Sequence, residues 1–113
     1  MESNNQLVYL YGFSLRKNSQ MGNLITILNE QIKKGSEIKI ILLQDGVIGI
    51  SKKGKIPSSL TQLLNLPIEV YALIPDIRAR GIDIHAINEK IHLIEYDKLV
   101  DILAETPKII SWL

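Results

Sequence analysis

A long aliphatic run in this chain, Ile38-Lys39-Ile40-Ile41-Leu42-Leu43, stops abruptly at Gln44, Asp45 and Gly46. An amide and a carboxylate beside a glycine can hold a ligand, polarise a group, or bond their own backbone in a turn. Asp45 is therefore open to two roles, a functional carboxylate in a crevice or a turn residue. Further on, Asp76 and Arg80 stand four apart, the spacing at which opposite charges meet on a helix.

The remaining chemistry-bearing residues form no catalytic or metal constellation. Two histidines, His85 and His92, are too few for a metal centre, and Asp83 two residues before His85 is a weak ligand signal. Ser51, Ser58 and Ser59 have no base nearby in sequence and no strained elbow around them. Lys53-Gly54-Lys55 lacks the spacing of a phosphate-binding loop. Read simply, the lysines at 52, 53 and 55 make a solvated connection; their functional alternative is contact with RNA phosphates. With no cysteine in 113 residues, the chain has no disulfide, thiolate metal site or thiol nucleophile of its own. No cofactor, metal or catalytic residue is expected.

Composition sets the frame. Apolar residues make up 46% and charged residues 22% of the chain, the balance of a soluble globular protein. The net charge of +1 gives no global drive toward nucleic acid or membrane. No basic n-region followed by an apolar h-region opens the sequence, and no apolar stretch reaches the roughly 20 residues that span a bilayer. A single domain over residues 1–113, soluble and intracellular, is expected, with residues 1–6 frayed.

The elements that must position these residues follow from periodicity. Leu7 to Tyr11 predicts a first strand, ended by Gly12. Met21, Leu24, Ile25, Leu28 and Ile32 fall on one face of a helix over 21–34, with Asn18 or Ser19 as N-cap and Gly35 as the residue that ends it. Residues 38–43 hardly alternate, which predicts a strand buried on both faces, as in a parallel sheet. A hairpin turning at Asp45-Gly46 is the alternative. Val47 to Ile50 fits either a short helix or a return strand. A two-turn helix through Leu60, Leu63 and Leu64, a strand over 68–73, a helix over 76–80 opened by Pro75, and a strand over 91–94 come next. A helix over 97–105, with Leu99, Val100, Ile102 and Leu103 mostly inward, leads to a last short strand ending at Trp112. That tryptophan either packs on the sheet or belongs to an interface. Strands alternating with helices predict an α/β fold, a three-layer α/β/α sandwich with a mainly parallel five-stranded sheet. In such sheets ligands and partners meet the carboxyl ends of the strands, where Gln44, Asp45 and Gly46 would lie.

Three segments in register resemble one family. Leu42-Leu43-Gln44-Asp45-Gly46-Val47 is similar to the LLQDGV stretch of the sulfur-relay proteins TusB and DsrH. Val70-Tyr71-Ala72-Leu73, Asp76 and Ala79-Arg80-Gly81 resemble a second family segment. Ile94 to Val100, with Ser111-Trp112 at the end, resembles a third.

The resemblance implies a small α/β subunit of the DsrE/DsrF/DsrH-like superfamily in a cytoplasmic oligomer that passes persulfide sulfur between cysteines. The sulfur goes toward 2-thiolation of wobble uridine in tRNA or into sulfur oxidation. The implied partners are DsrE/TusD-like and DsrF/TusC-like subunits, the former carrying the acceptor cysteine. Some relatives also carry a cysteine near the first helix; this chain has none between Ser14 and Leu28, and Leu15 follows Ser14 where proline is common. It cannot hold a persulfide itself, because the thiolate is the chemistry. A non-catalytic subunit is therefore expected, with Gln44, Asp45, Gly46, Tyr71, Asp76 and Arg80 as its partner- or ligand-facing edge and only an indirect link to tRNA. The alternative is a self-associating α/β module that binds a small ligand or nucleotide.

Overall fold

The computed structural model describes residues 5–17 and 19–113. Five parallel strands form one sheet in the order β4-β3-β2-β1-β5. They are β1 (Gln6–Tyr11), β2 (Glu37–Leu42), β3 (Glu69–Leu73), β4 (Ile91–Ile94) and β5 (Lys108–Trp112). The helices are α1 (Ser19–Lys33), α2 (Ser58–Leu64), α3 (Ile74–Ala79) and α4 (Tyr96–Glu105). All four strand pairs are parallel, so the hairpin at Asp45-Gly46 does not form.

The two faces of β2 explain why its sequence does not alternate. Ile38, Ile40 and Leu42 join the core under α1 and α2, with Met21, Leu24, Leu28, Leu60 and Leu63. Ile41 and the following Leu43 join a second core with Ile102 of α4. Helices on both sides cover β2 from Ile40 to its end, and a buried parallel strand reads as a continuous aliphatic run. The sandwich has three layers.

Local signals act as their chemistry dictates. Gly35 takes a φ of +87°, the left-handed conformation that closes a helix, and its N–H reaches the Ile32 carbonyl at 3.0 Å. Of the two N-cap candidates, Asn18 and the Ser19 side chain lie outside the described residues. Residues 1–4 lie outside them as well; Gln6, expected to fray, instead pairs with Glu37 as the first residue of β1. The inward assignment of Val100 also fails: it is 61% exposed, while Ile102 is 4% exposed. At 3.6 residues per turn Leu99, Ile102 and Leu103 share one face and take the inner stripe, while Val100 turns outward.

Gln44–Val47 is a single 3₁₀ turn, which places the Asp45-Gly46 pair in a cap on the strand's end. The next residues form neither helix nor extended strand; Ser51 makes one antiparallel bridge to Ile87. Residues 52–55 are an exposed loop. Trp112 packs on the sheet, its ring 6.4 Å from that of Tyr11.

Candidate functional site

The carboxyl end of β2 is built by close backbone approach. The Leu43 N–H donates to the Tyr11 carbonyl at 3.1 Å and the Gly46 N–H turns back to the Leu43 carbonyl at 2.8 Å. A Cβ on Gly46 would run into that same Tyr11 carbonyl oxygen. Only glycine lets the 3₁₀ turn fold down onto β1, so this is a packing requirement of the turn.

Gln44 carries the strain of that descent. Its φ of +52° makes it the one positive-φ residue other than glycine among the described residues. Its N–H donates to the Asp76 Oδ2 at 2.6 Å, a short charge-assisted bond from the strand end to the first turn of α3. Arg80, just past α3, completes the link: its Nε and Nη2 both lie 3.1 Å from the Asp45 Oδ1. Its Nη1 donates to the Asp76 carbonyl at 3.3 Å and stands 3.8 Å from the Asp76 Oδ1.

Gln44, Asp45, Gly46, Asp76 and Arg80 are thus brought together at one corner of the sheet's carboxyl edge. Asp45 is 61% exposed in its side chain and Asp76 only 18%, so the first carboxylate faces outward and the second braces the turn. Asp45 also borders a cleft of about 340 Å³ with Phe13, Ser14, Lys17, Gln20 and Ile48. Residues 13–17 in this wall are the loop after β1. Nothing in the sequence spacing singled out Phe13, Ser14 or Lys17; their only signal was a basic loop directly after a strand ended by glycine.

Tyr71 is not part of this corner. It lies within β3 opposite Ile41 and His92, on the α4 side of the sheet. Its hydroxyl donates to the Glu69 Oε1 at 2.7 Å and its ring lies 5.0 Å from the His92 ring. Burial first, then the bond to Glu69, pushes the phenol up to about 12; the same bond, helped by Lys39 and His92, holds the Glu69 carboxyl below its usual range. This is a self-satisfied polar pair on the sheet.

Neither histidine meets Asp45. His92 stacks on Tyr71, and His85 sits in a 3₁₀ turn (Ile84–Ala86) capped by the Asp83 carboxylate, which accepts the His85 N–H at 3.0 Å. Among the described residues no three His, Cys, Asp or Glu side chains gather where they could hold a metal ion. No helix among them is long and apolar enough to cross a membrane.

Comparison with known proteins places this geometry. The model of the family described as DsrH like protein matches residues 17–109. Protein TusB of Pectobacterium carotovorum subsp. carotovorum is 37% identical over 73 residues, 65% of this chain and 73% of that protein. Protein TusB of Yersinia pestis is 36% identical over 77 residues, covering 68% and 77%. Among solved structures, the ychN protein of E. coli superposes with a TM-score of 0.75 at 15% identity, covering 95% of this chain and 98% of that one. A protein of unknown function from Methanobacterium thermoautotrophicum gives 0.73 at 14% identity, with 94% and 97% covered. At that identity the two structures speak for the fold alone. The family model and the TusB relatives speak for descent, and together they establish that this chain belongs to the DsrH-like family.

Proposed function

We propose that this chain is a non-catalytic subunit of a sulfur-relay complex in the cytoplasm, of the TusB kind, serving persulfide transfer linked to 2-thiolation of tRNA. The observation that carries the proposal is the pairing of membership in the DsrH-like family with a complete lack of cysteine. Sulfur transfer by persulfide needs a thiolate at each station. The chain therefore contributes architecture beside DsrE/TusD-like and DsrF/TusC-like partners, of which the DsrE/TusD-like subunit supplies the sulfur-carrying station.

The corner formed by Gln44, Asp45, Asp76 and Arg80 supports a docking role. Its turn is braced from beneath by Asp76, and it presents an outward carboxylate whose geometry Arg80 holds. A pre-organised polar surface loses less entropy on binding than a mobile one. The test is affinity recovery of the tagged chain from its source cells, followed by native mass spectrometry. Recovery with a cysteine-bearing subunit of the same superfamily supports the proposal; persulfide on that partner's thiol, trapped by alkylation, would then mark the transfer station.

A second reading, a self-associating module for a small ligand, draws on the 340 Å³ cleft beside Asp45, which is within the size range of small-molecule sites. A homo-oligomer recovered without any cysteine-bearing companion would favour it.

A further inference from the structure

The chain's near-zero net charge hides a polarised distribution. The loop after β1 and the loop after the 3₁₀ turn, spanning 12–17 and 48–57, hold Arg16, Lys17, Lys52, Lys53 and Lys55 and no carboxylate. Five of the 13 cations are there, leaving eight to face all 12 carboxylates in the rest of the chain.

The structure divides these five. Lys52 lies 3.4 Å from the Glu89 carboxylate and Lys53 2.8 Å from that of Asp83, so both are neutralised locally. Arg16, Lys17 and Lys55 are exposed, and no carboxylate among the described residues pairs with them. Arg16 is held in place by donating from Nη1 to the Lys55 carbonyl at 3.0 Å, which ties the two loops together. Beneath them, the buried Ser59 hydroxyl donates to the Leu15 carbonyl at 3.2 Å and the Leu15 N–H to the Ile48 carbonyl at 3.0 Å.

The tied loop forms a ridge between two clefts. One, of about 400 Å³, is bordered by Arg16, Lys55 and Ser58; the other holds Lys17 beside the half-buried ring of Phe13. The carboxylate that shares the second cleft, Asp45, is paired with Arg80. Unpaired cations on a fixed ridge with an aromatic surface beside them are the elements of single-strand recognition: charges for the phosphates and a π face for a base. An acidic protein segment would use the charges but has no call on the ring.

We infer that Arg16, Lys17 and Lys55 form a binding site for the phosphate backbone of single-stranded RNA, with Phe13 as its stacking surface. This revises the placement expected from the lysine run: Lys55 belongs to the site, and Lys52 and Lys53 do not. The inference goes beyond the relay assignment and is independent of it, since partner recovery after nuclease treatment reads the one and RNA titration reads the other.

The test is fluorescence anisotropy of a fluorescein-labelled ten-nucleotide oligouridine, titrated with the purified chain at several salt concentrations. Each single-strand phosphate contact contributes about 0.7 to the slope of log affinity against log salt. The R16A/K17A/K55A variant should lower that slope by about 2 and weaken binding at least tenfold at low salt. F13A should weaken binding while leaving the slope unchanged. K33A/K34A, at the far end of a 15-residue helix, should bind as the parent does. Circular dichroism of the triple variant, whose three side chains are all exposed, checks that the fold is kept. Absence of RNA binding, an unchanged slope in the triple variant, or displacement by polyglutamate as effective as by RNA of equal charge would overturn the site.

Discussion

The Asp76 carboxylate accepts the Gln44 N–H at 2.6 Å and so holds a non-glycine residue at a φ of +52° at the end of the central strand. A hydrogen bond to a charged group contributes about 1.5–3 kcal/mol, and an exposed one such as this falls at the low end of that range. Asp76→Ala should lower unfolding free energy by an amount in that range, measured by urea denaturation. Gln44→Gly should raise it by about 0.5–1 kcal/mol, because glycine takes the left-handed conformation without steric penalty. If Gln44→Gly destabilises the protein, the strain assigned to this position is wrong.

Gly46 meets a different constraint, one of space. A methyl group there would collide with the Tyr11 carbonyl oxygen, a backbone atom that cannot rotate away. Gly46→Ala should cost about 3 kcal/mol or more, at the upper end for overpacking. A melting temperature within a degree or two of the parent would contradict the contact.

Much of this architecture was legible in the sequence, and the losses have physical causes. The unbroken run from Ile40 to Leu43 reported a strand covered on both sides, and that is how Ile40 and Ile41 divide between the two cores. The Asp76–Arg80 spacing reported their helical proximity. Neither pattern could report that Asp76 would reach Gln44, 32 positions away, because that bond depends on how α3 packs against the end of β2. Tyr71 drew attention through its place in a shared segment, yet strand alternation turns it to the α4 face and away from the corner. The Lys52–Glu89 and Lys53–Asp83 pairs were hidden for the same reason as Asp76: they join segments 37 and 30 positions apart in the sequence.

Tyr11 supplies a prediction about hydrogen bonding. Its side chain is fully buried, and its hydroxyl has no hydrogen-bond partner among the described residues. Leaving such a group unpaired costs about 1–3 kcal/mol. Tyr11→Phe should therefore raise stability by about 1 kcal/mol while keeping the ring contacts to Phe13 and Trp112. A loss of stability in thermal or urea unfolding would show that the hydroxyl is satisfied in solution.

The Tyr71–Glu69 pair predicts the pH profile on both sides. The Tyr71 phenol is raised in the folded state to about 12, so its contribution is intact below pH 10 and is lost as pH climbs through 12. Glu69 is lowered, so its contribution is present above the ordinary carboxylate range and disappears as pH falls through the depressed value. Tyr71→Phe should flatten both limbs of a stability–pH curve followed by circular dichroism. Equal steepness in parent and variant would contradict the coupling.

The central claim is that a cysteine-free member of the DsrH-like family works as a subunit beside a sulfur-carrying partner. Native mass spectrometry of the tagged chain recovered from its own cells after nuclease treatment tests it most directly. The account predicts a defined hetero-oligomer containing a related subunit with a reactive cysteine. A stable homo-oligomer with no such companion would contradict it.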